Sequence, residues 1–488
     1  MRQTHRRLTV VALLLGLFLA AVEMTVVSTA MPTAVGDLGG LHLYAWAFSA
    51  YMLTATVSVP IYGKLADLRG RKPVMLTGVA LFLVGSMACG RATTMEQLVA
   101  FRALQGLGAG AIQPMALTIV GDLFDLKQRG RMQGIFGAVW GVAGLTGPLL
   151  GGALVHWLSW RWVFYVNVPL GLGCAAVLQA AYHEEVERHD HRLDLLGALL
   201  LAGAVTAVLL ATRSRATGAW ALPAAVLLGL LFVFVERRAT EPLLPLDLFA
   251  HRVIGVASAT GALVGAAMIA TVTFVPLYVQ SVLGGSPTAA GGAIAPMAIG
   301  WPVASALSGR VLHRVGYRPL IRGGLTVSFA AALGLALLLR PGAPGWLPQL
   351  LTALYGVGLG LANTPTVIAV QTSVDWNRRG VATASTMFFR TIGGTVAVGI
   401  LGGLLAASLS GGPATAEQVE QLLGPERRLL DPALLASVSG ALQHGMERVF
   451  WASAAIAGAA LAVGLTFPAV PISRVPPPAV AAAPAGKE

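Results

Sequence analysis

Gly-Lys-Leu-Ala-Asp-Leu-Arg-Gly-Arg-Lys-Pro, residues 63–73, is a short polar stretch between two apolar runs. Glycine tolerates the positive backbone φ angles of a tight turn, and the carboxylate of Asp67 can cap or pair with a neighbouring helix end. The basic residues, Arg69 and Arg71 among them, favour the cytoplasmic side of a membrane. The stretch therefore predicts two antiparallel membrane helices that are joined by a tight cytoplasmic turn.

The composition of the chain is that of a membrane protein with many spans. Of its 488 residues, 56% are hydrophobic and 11% are charged, whereas about a quarter of the residues of a soluble domain are charged. The net charge of +12 comes from Lys and Arg in short clusters between apolar runs, which is typical of cytoplasmic loops and not of a nucleic-acid-binding surface. Cys89 and Cys174 fall in predicted spans, so no disulfide framework or metal cage is expected.

Fourteen apolar runs are long enough to cross a bilayer, which takes about 20 residues of helix. They cover residues 8–29, 43–62, 74–93, 95–120, 132–154, 162–181, 195–212, 220–236, 253–278, 289–312, 320–339, 346–371, 381–409 and 449–467. The first run is longer than the apolar core of a signal peptide, so we expect it to remain in the protein. Most of the 33 Lys and Arg residues fall on the side of the N-terminus when the spans alternate, which predicts that both termini are cytoplasmic.

Internal repetition divides the chain into two related halves. Residues 106–110 in the fourth span and residues 356–360 in the twelfth share a Gly-x-Gly-x-Gly pattern. Many transporters are built from repeated halves, so we expect six helices to recur as six helices, with two inserted helices between the copies. The predicted organisation is an N-terminal six-helix bundle (1–182), a cytoplasmic linker (183–194), two inserted transmembrane helices (195–240), a C-terminal six-helix bundle (241–468) that includes an extracellular loop (410–448), and a disordered cytoplasmic tail (469–488).

One carboxylate, Glu23, lies well inside the first span. An acid costs several kcal/mol in hydrocarbon, so Glu23 needs a partner, a proton or a water-filled cavity. Counting about 1.5 Å of rise per residue places Arg102 of the fourth span at a similar depth, so the two side chains can meet. We expect Glu23 to face the cleft between the halves and to exchange protons with one side at a time. The alternatives are a purely structural acid at a helix pair and an Arg102 that extends to the outer headgroups.

Several motifs resemble those of a known transporter family. Residues 63–73 resemble the signature loop of the major facilitator superfamily, although Leu68 stands where a basic residue is usual, and the glycines of the fifth span resemble the antiporter motif of drug:proton exporters. Residues 160–171 and 23–32 are similar to the fourteen-span branch, which commonly has Asp where Glu23 stands. The resemblance implies an all-α major facilitator fold and assigns conformational roles to Gly63, Asp67, Gly70, Arg71, Gly144, Gly147, Pro148, Gly151 and Gly152.

Polar, aromatic and methionine residues inside the spans are candidates for a substrate cavity. Arg390 lies near the membrane midplane, where it could pair with a carboxylate, bind an anionic group of the substrate or maintain hydration. Polar members of the set could instead join helices by hydrogen bonds, and aromatic members could pack or face lipid. The complete set is Met24, Gln113, Trp140, Tyr278, Gln280, Asn363, Phe389 and Arg390.

The resemblance implies a proton-coupled antiporter that exports lipophilic, often cationic, compounds by alternating access across the cytoplasmic (inner) membrane of a bacterium. Glu23 is the only acid deep in a predicted span, which weakens the cationic assignment. A lipid or glycolipid exporter and a non-transporting membrane sensor or structural partner are the alternatives. We expect no enzyme chemistry and no metal, because the chain has no phosphate-binding loop and no catalytic or metal-ligand spacing. We also expect no cofactor beyond the proton gradient, no nucleic-acid partner and a monomer.

Overall fold

The computed structural model describes residues 4–124, 126–184, 194–211, 215–239, 246–374, 379–409 and 431–469, and the single residues 242, 244 and 418. The described chain is predominantly α-helical, as predicted, with two short 3₁₀ turns. Its helices are α1 (Arg6–Leu38), α2 (Tyr44–Arg69), α3 (Arg71–Gly90), α4 (Met95–Leu123), α5 (Leu126–Trp157), α6 (Trp162–Tyr165), α7 (Asn167–Ala181), α8 (Leu195–Ala211), α9 (Arg215–Glu236), α10 (Arg252–Ser281), α11 (Pro287–Val315), α12 (Tyr317–Leu338), α13 (Trp346–Thr372), α14 (Arg379–Leu409) and α15 (Pro432–Leu465).

A single glycine forms the tight turn that the first stretch predicts. Gly70 has a φ of 93° and is the only residue between α2 and α3. Gly316, with a φ of 88°, occupies the same place between α11 and α12 in the second half. Both angles lie in the left-handed region that glycine adopts without a steric penalty, so the predicted turn is confirmed and is repeated.

The repeated glycines make equivalent contacts in the two bundles. A Cβ added to Gly106 of α4 would lie 2.3 Å from the carbonyl oxygen of Tyr51 on α2. A Cβ added to Gly356 of α13 would lie 2.3 Å from the carbonyl oxygen of Met297 on α11. On its other face α4 packs on α3, and α13 packs on α12. The predicted relation between the halves therefore appears in the packing, where glycine lets the helix backbones approach closely.

The two bundles contact each other toward one end of the molecule. The pairs include α1 with α10 and α11, α2 with α14, and α5 with α11. Tyr44, at the start of α2, donates a hydrogen bond to the carbonyl oxygen of Thr273 at 2.7 Å. Ser49, about one turn further, donates to the carbonyl oxygen of Thr395 at 3.2 Å. These contacts run from the middle of the helices to the end at which α1 finishes and α2 begins.

The inserted helices rest on both bundles. Helices α8 and α9 pack on each other, and α8 also contacts α2 and α14. Leu209 of α8 is fully buried beside Leu53 of α2, and one of its methyl groups fills the space that a Cβ on Gly399 of α14 would need. Helix α9 remains largely exposed, with Leu230 at 65%. The insertion therefore presents an apolar outer surface that suits contact with lipid.

The structure changes part of the predicted organisation. Twelve helical segments of the described residues are long and apolar enough to cross a membrane; α2 and α8 are the other two predicted spans, and α8 has only 17 residues. The count of fourteen thus stays a prediction. Helix α15 begins at Pro432, inside the predicted extracellular loop at 410–448, so residues 432–448 are helical rather than loop. Residues 410–417 and 419–430, linker residues 185–193, and tail residues 470–488 lie outside the described parts.

We expect alanine at Gly106 or Gly356 to lower stability, because each added methyl group would collide with a backbone carbonyl. Overpacking of this kind costs about 1–3 kcal/mol. The measurement is the Tm of the detergent-solubilised protein. Gly323→Ala is the matched control, since Gly323 is an exposed helical glycine with no atom within 4 Å of an added Cβ. Equal Tm shifts in all three variants would contradict the close packing.

Candidate functional site

The carboxylate of Glu23 is fully buried inside the N-terminal bundle, with 0% of its surface exposed. Its Oε1 forms an ion pair with Nη1 of Arg102 on α4, a residue that is 1% exposed. The expected meeting of the two side chains is therefore confirmed, while their role in proton coupling stays a prediction. The alternative in which Arg102 extends to the outer headgroups is wrong, because protein encloses its guanidinium.

The guanidinium of Arg102 has three further neighbours that fix its position. Nε donates to the backbone carbonyl of Ala47 at 3.0 Å, and Nη1 donates to Oε1 of Gln105 at 2.7 Å. The Cζ atom lies 4.2 Å from the centre of the Tyr51 ring, within the range of a cation–π contact. Arg102 would therefore retain neutral partners if Glu23 lost its charge.

A second set of hydrogen bonds holds the other carboxylate oxygen. Nδ2 of Asn167 on α7 donates to Oε2 of Glu23 at 2.5 Å and to the hydroxyl of Ser86 at 2.9 Å. Ser86 on α3 also accepts from Nε2 of Gln105 at 3.2 Å. Oδ1 of Asn167 is buried and has no hydrogen-bond partner among the described residues. The site thus joins α1, α2, α3, α4 and α7 around one charge pair.

Two members of this network, Gln105 and Asn167, have sequence signals that could have identified them. Gln105 follows Arg102 by three residues, which puts both on one face of α4. Asn167 begins α7 within the stretch 160–171 that resembles the fourteen-span branch. Ser86 carried no signal, because a serine in a small-residue helix is ordinary.

The expected position of Glu23 at the cleft between the halves is wrong for this structure. All of its polar partners belong to the N-terminal bundle, and none of its surface is exposed. Residues two apart on a helix point about 200° apart, so Thr25 faces the opposite way and reaches the carbonyl oxygen of Ala143 on α5 at 3.3 Å. Thr29, on nearly the same face as Thr25, contacts α10 and α11 of the other bundle, so this face is the cleft side of α1.

The glycines of the fifth span lie at a junction of three helices. Gly147 and Gly151 pack on α1, whereas Gly144 and Gly152 pack on α11 of the other bundle, and an added Cβ at any of the four would come within 2.7 Å of a neighbouring atom. The carbonyl oxygen of Pro148 leaves no room for a side chain on the facing glycine of α11. Gly144, Pro148 and Gly152 therefore form a close contact between the bundles, as a conformational role would require.

The signature loop is tied to the end of the N-terminal bundle. The backbone N–H groups of Arg71 and Lys72 donate to the two carboxylate oxygens of Glu184 at 2.8 and 2.9 Å. Nη1 of Arg71 lies 3.5 Å from the same carboxylate. This arrangement satisfies free donors at the start of α3. The side chain of Asp67 is not among those that the structure describes. Gly63 has no atom within 4 Å of an added Cβ.

The predicted cavity residues do not form one cluster. Nη1 of Arg390 donates to Oδ1 of Asn363 at 3.2 Å, and the ring of Phe389 packs edge-on against Phe249. Gln280 instead joins the bundles, because it donates to the carbonyl oxygen of Thr29 at 3.1 Å. The remaining members of the set are the fully buried Tyr278 and the partly buried Met24, Gln113 and Trp140.

A metal site does not emerge from the described residues, in which no three His, Cys, Asp or Glu side chains could hold an ion together. Two polar arrangements inside the described helices include a buried cation, the Glu23 network and the pair of Arg390 with Asn363. Neither arrangement supplies a nucleophile with an adjacent general base.

Comparisons with known proteins agree with this architecture. A sequence model of the Major Facilitator Superfamily matches residues 13–398. The chain is 36% identical over 414 residues to the multidrug transporter protein MdtP of Bacillus subtilis, covering 83% of this chain and 76% of the relative. It is also 36% identical over 412 residues to multidrug resistance protein 3 of the same organism, covering 82% and 80%.

Solved structures show the same fold at low sequence identity. A bacterial homologue of the human lysosomal transporter Spinster, in an inward-facing and occupied conformation, superimposes with a TM-score of 0.71 at 16% identity over 95% of this chain and 97% of that one. A D-xylose–proton symporter gives 0.65 at 13% identity over 95% and 98%. Together with the family match, these likenesses show that the chain belongs to the major facilitator superfamily and is a secondary transporter, not an enzyme.

Proposed function

We propose that this protein exports lipophilic compounds across a bacterial cytoplasmic membrane in exchange for protons. Relatives that cover most of the chain are named as multidrug transporters, which supports drug export. The observation that carries proton coupling is the fully buried charge pair of Glu23 and Arg102. Glu23 is a titratable group inside a membrane bundle, and its described neighbours form neither a catalytic nor a metal site.

The proposal includes fourteen spans with both termini in the cytoplasm. In that orientation, the end at which α1 finishes and α2 begins is the outer end. The bundle contacts of Tyr44 and Ser49 then close the transporter to the outside, and substrate reaches the cleft from the cytoplasm. Export requires these contacts to open while the bundles close at the inner end.

Protonation of Glu23 is the proposed event that allows this change. A proton would cancel the negative charge and remove the attraction to Arg102, whose positive charge would remain near Ala47, Gln105 and Tyr51. Leaving one buried charge without its counter-ion costs several kcal/mol, so protonation favours a rearrangement of the network. Because Glu23 has no exposed surface in this conformation, proton exchange belongs to a conformation in which the network is open to water.

Helix α1 links the charge pair to the bundle interface. Thr25 and Thr29 on its opposite face touch Gly147 and Gly151 of α5. The carbonyl oxygen of Thr29 accepts a hydrogen bond from Gln280 on α10 of the other bundle. A rotation or shift of α1 after protonation would therefore act on the outer contacts directly.

We predict that Glu23→Gln abolishes gradient-driven transport but not substrate binding. Glutamine resembles the protonated acid and cannot release a proton. Proteoliposomes with an imposed pH gradient and fluorescent lipophilic compounds of both charges would measure transport and proton movement together. We expect at least a tenfold loss of coupled flux, with binding retained.

Asp37→Asn is the control for this experiment. Asp37 lies near the end of the same helix, where its Oδ2 accepts hydrogen bonds from Trp160 at 2.9 Å and Arg161 at 2.7 Å. We expect coupling to survive this substitution. Unchanged coupled flux in Glu23→Gln would rule out the proposed proton site.

Arg102→Leu should destabilise the protein more than the double substitution Glu23→Leu/Arg102→Leu. The single variant leaves a buried carboxylate without its counter-ion, at a cost of about 3–5 kcal/mol, whereas the double variant removes both charges. Thermal unfolding in detergent at neutral pH would show the order. A double variant less stable than Arg102→Leu would contradict the assignment of an ionised pair.

A cysteine pair at Ala45 and Gly402 tests the movement of the bundles. A Cβ on Gly402 would lie 2.2 Å from the Cβ of Ala45 across the interface, so a slight separation gives the roughly 3.8 Å of a disulfide. We expect oxidation of Ala45→Cys/Gly402→Cys to stop transport and dithiothreitol to restore it, while each single variant is insensitive to oxidation. Wild-type flux through fully cross-linked protein would refute opening at this end.

A further inference from the structure

Arg390 lies at the level where the contacts between the bundles begin. It is eleven residues after the first residue of α14, or roughly 16 Å along the helix. One turn further, a Cβ on Gly394 would contact Met52 of α2, and Thr395 accepts the hydrogen bond from Ser49. Arg390 therefore sits directly beneath the closed outer contact, at the head of the cleft that the proposed orientation opens to the cytoplasm.

The guanidinium of Arg390 has no carboxylate partner among the described residues. Its neighbours are the neutral side chain of Asn363 at 3.2 Å and the ring of Trp301, whose centre is 5.8 Å from Cζ. Arg102 differs in this respect, because it pairs with Glu23. A cation inside a membrane bundle is costly unless an anion or water balances it.

The acids of the described membrane interior are too far away or already engaged. Glu23 is sealed inside the other bundle by Arg102 and Asn167. Glu447 on α15 accepts a hydrogen bond from Gln443 and lies near Tyr278. Tyr278 is roughly 20 Å along α10 from Gly265, the glycine that touches Arg390. The head of the cleft thus carries an uncompensated positive charge.

Three hydrogen-bond donors surround this position on three helices of the C-terminal bundle. They are the guanidinium of Arg390 on α14, the Asn363 amide nitrogen on α13 and the Trp301 indole nitrogen on α11; the last two have no hydrogen-bond acceptor among the described residues. Guanidinium groups bind carboxylates and phosphates through parallel hydrogen bonds. The ring of Trp301 adds an apolar surface to the same site.

We propose that Arg390, Asn363 and Trp301 bind an anionic group of the transported compound, so that the preferred substrates are lipophilic anions rather than cations. This inference rests on the proposed export function and specifies its substrate class. The ligand's charge balances Arg390, and its apolar body lies against the ring of Trp301. Glu23 does not compete for the same site, because it belongs to the other bundle.

A matched set of fluorescent probes tests the charge preference at equilibrium. The probes are 11-(dansylamino)undecanoate, its primary amide and the corresponding amine, which share an apolar body and differ in charge. With purified full-length protein in detergent, we expect the carboxylate to bind at least tenfold more tightly than the amide or the amine. Arg390→Gln should bring the affinity for the carboxylate to that for the amide and leave the amide unaffected.

Two other variants separate recognition from folding. Arg390→Lys keeps the charge and should retain a preference for the carboxylate, and Arg340→Gln removes an exposed cation at the far end of α12 and should change nothing. Tm values verify folding. Equal binding of carboxylate and amide to the wild type, or a carboxylate preference that persists in folded Arg390→Gln, would overturn the proposal. If Arg390→Gln does not fold, the wild type and Arg390→Lys decide the question.

Nanodiscs distinguish a lipid headgroup from a soluble amphiphile as the source of the anion. Competition by phosphatidylglycerol, but not by phosphatidylcholine, would assign the site to an anionic lipid; no competition by either would assign it to a soluble compound. Because binding is measured without a gradient, its outcome is independent of coupling. Anion binding without proton-driven flux would contradict only the proposed function. Proton-driven flux without a preference for anions would contradict only this inference.

Discussion

The ion pair that neutralises a carboxylate inside the membrane bundle constrains this structure more than any other interaction. Glu23 pairs with the charge of Arg102 and accepts a hydrogen bond from the amide of Asn167, and no surface of the carboxylate remains exposed. Five helices of the N-terminal bundle contribute to the network, so its geometry fixes their relative rotation. A change in the charge of the Glu23 carboxylate therefore alters contacts on all of these helices. This is the physical basis for proposing Glu23 as the coupling site.

Close glycine contacts explain how such a change can become a movement of whole bundles. Within each half, glycines let α4 and α13 lie against their neighbours at backbone distance, as at Gly106 and Gly356. Packed interiors of this kind resist gradual deformation, and movement is directed to the interface between them. Helix α1 belongs both to the packed interior of the N-terminal bundle and to the interface, because Glu23 faces that interior and Thr29 faces the other bundle.

The sequence predicted those features that depend on local chemistry. The turn at Gly70, the repeated glycine pattern and the common depth of Glu23 and Arg102 follow from residue type and helix rise. The face of Glu23 could not be predicted, because α1 is apolar all round and offers no polar stripe to orient it. Ser86 and Asn167 join the network through the rotation of α3 and α7, which only tertiary packing sets. The start of α15 at Pro432 was missed because residues 432–448 lack the apolar run of a span.

The central claim is that Glu23 itself takes up and releases the coupled proton. Infrared difference spectra of the reconstituted protein, recorded between acidic and neutral pH, report the C=O stretch of protonated carboxyl groups directly. The account predicts a carboxyl band in the wild type that is missing from Glu23→Gln and present in Asp37→Asn. Identical spectra for the wild type and Glu23→Gln would contradict it, because Glu23 would then keep one protonation state throughout.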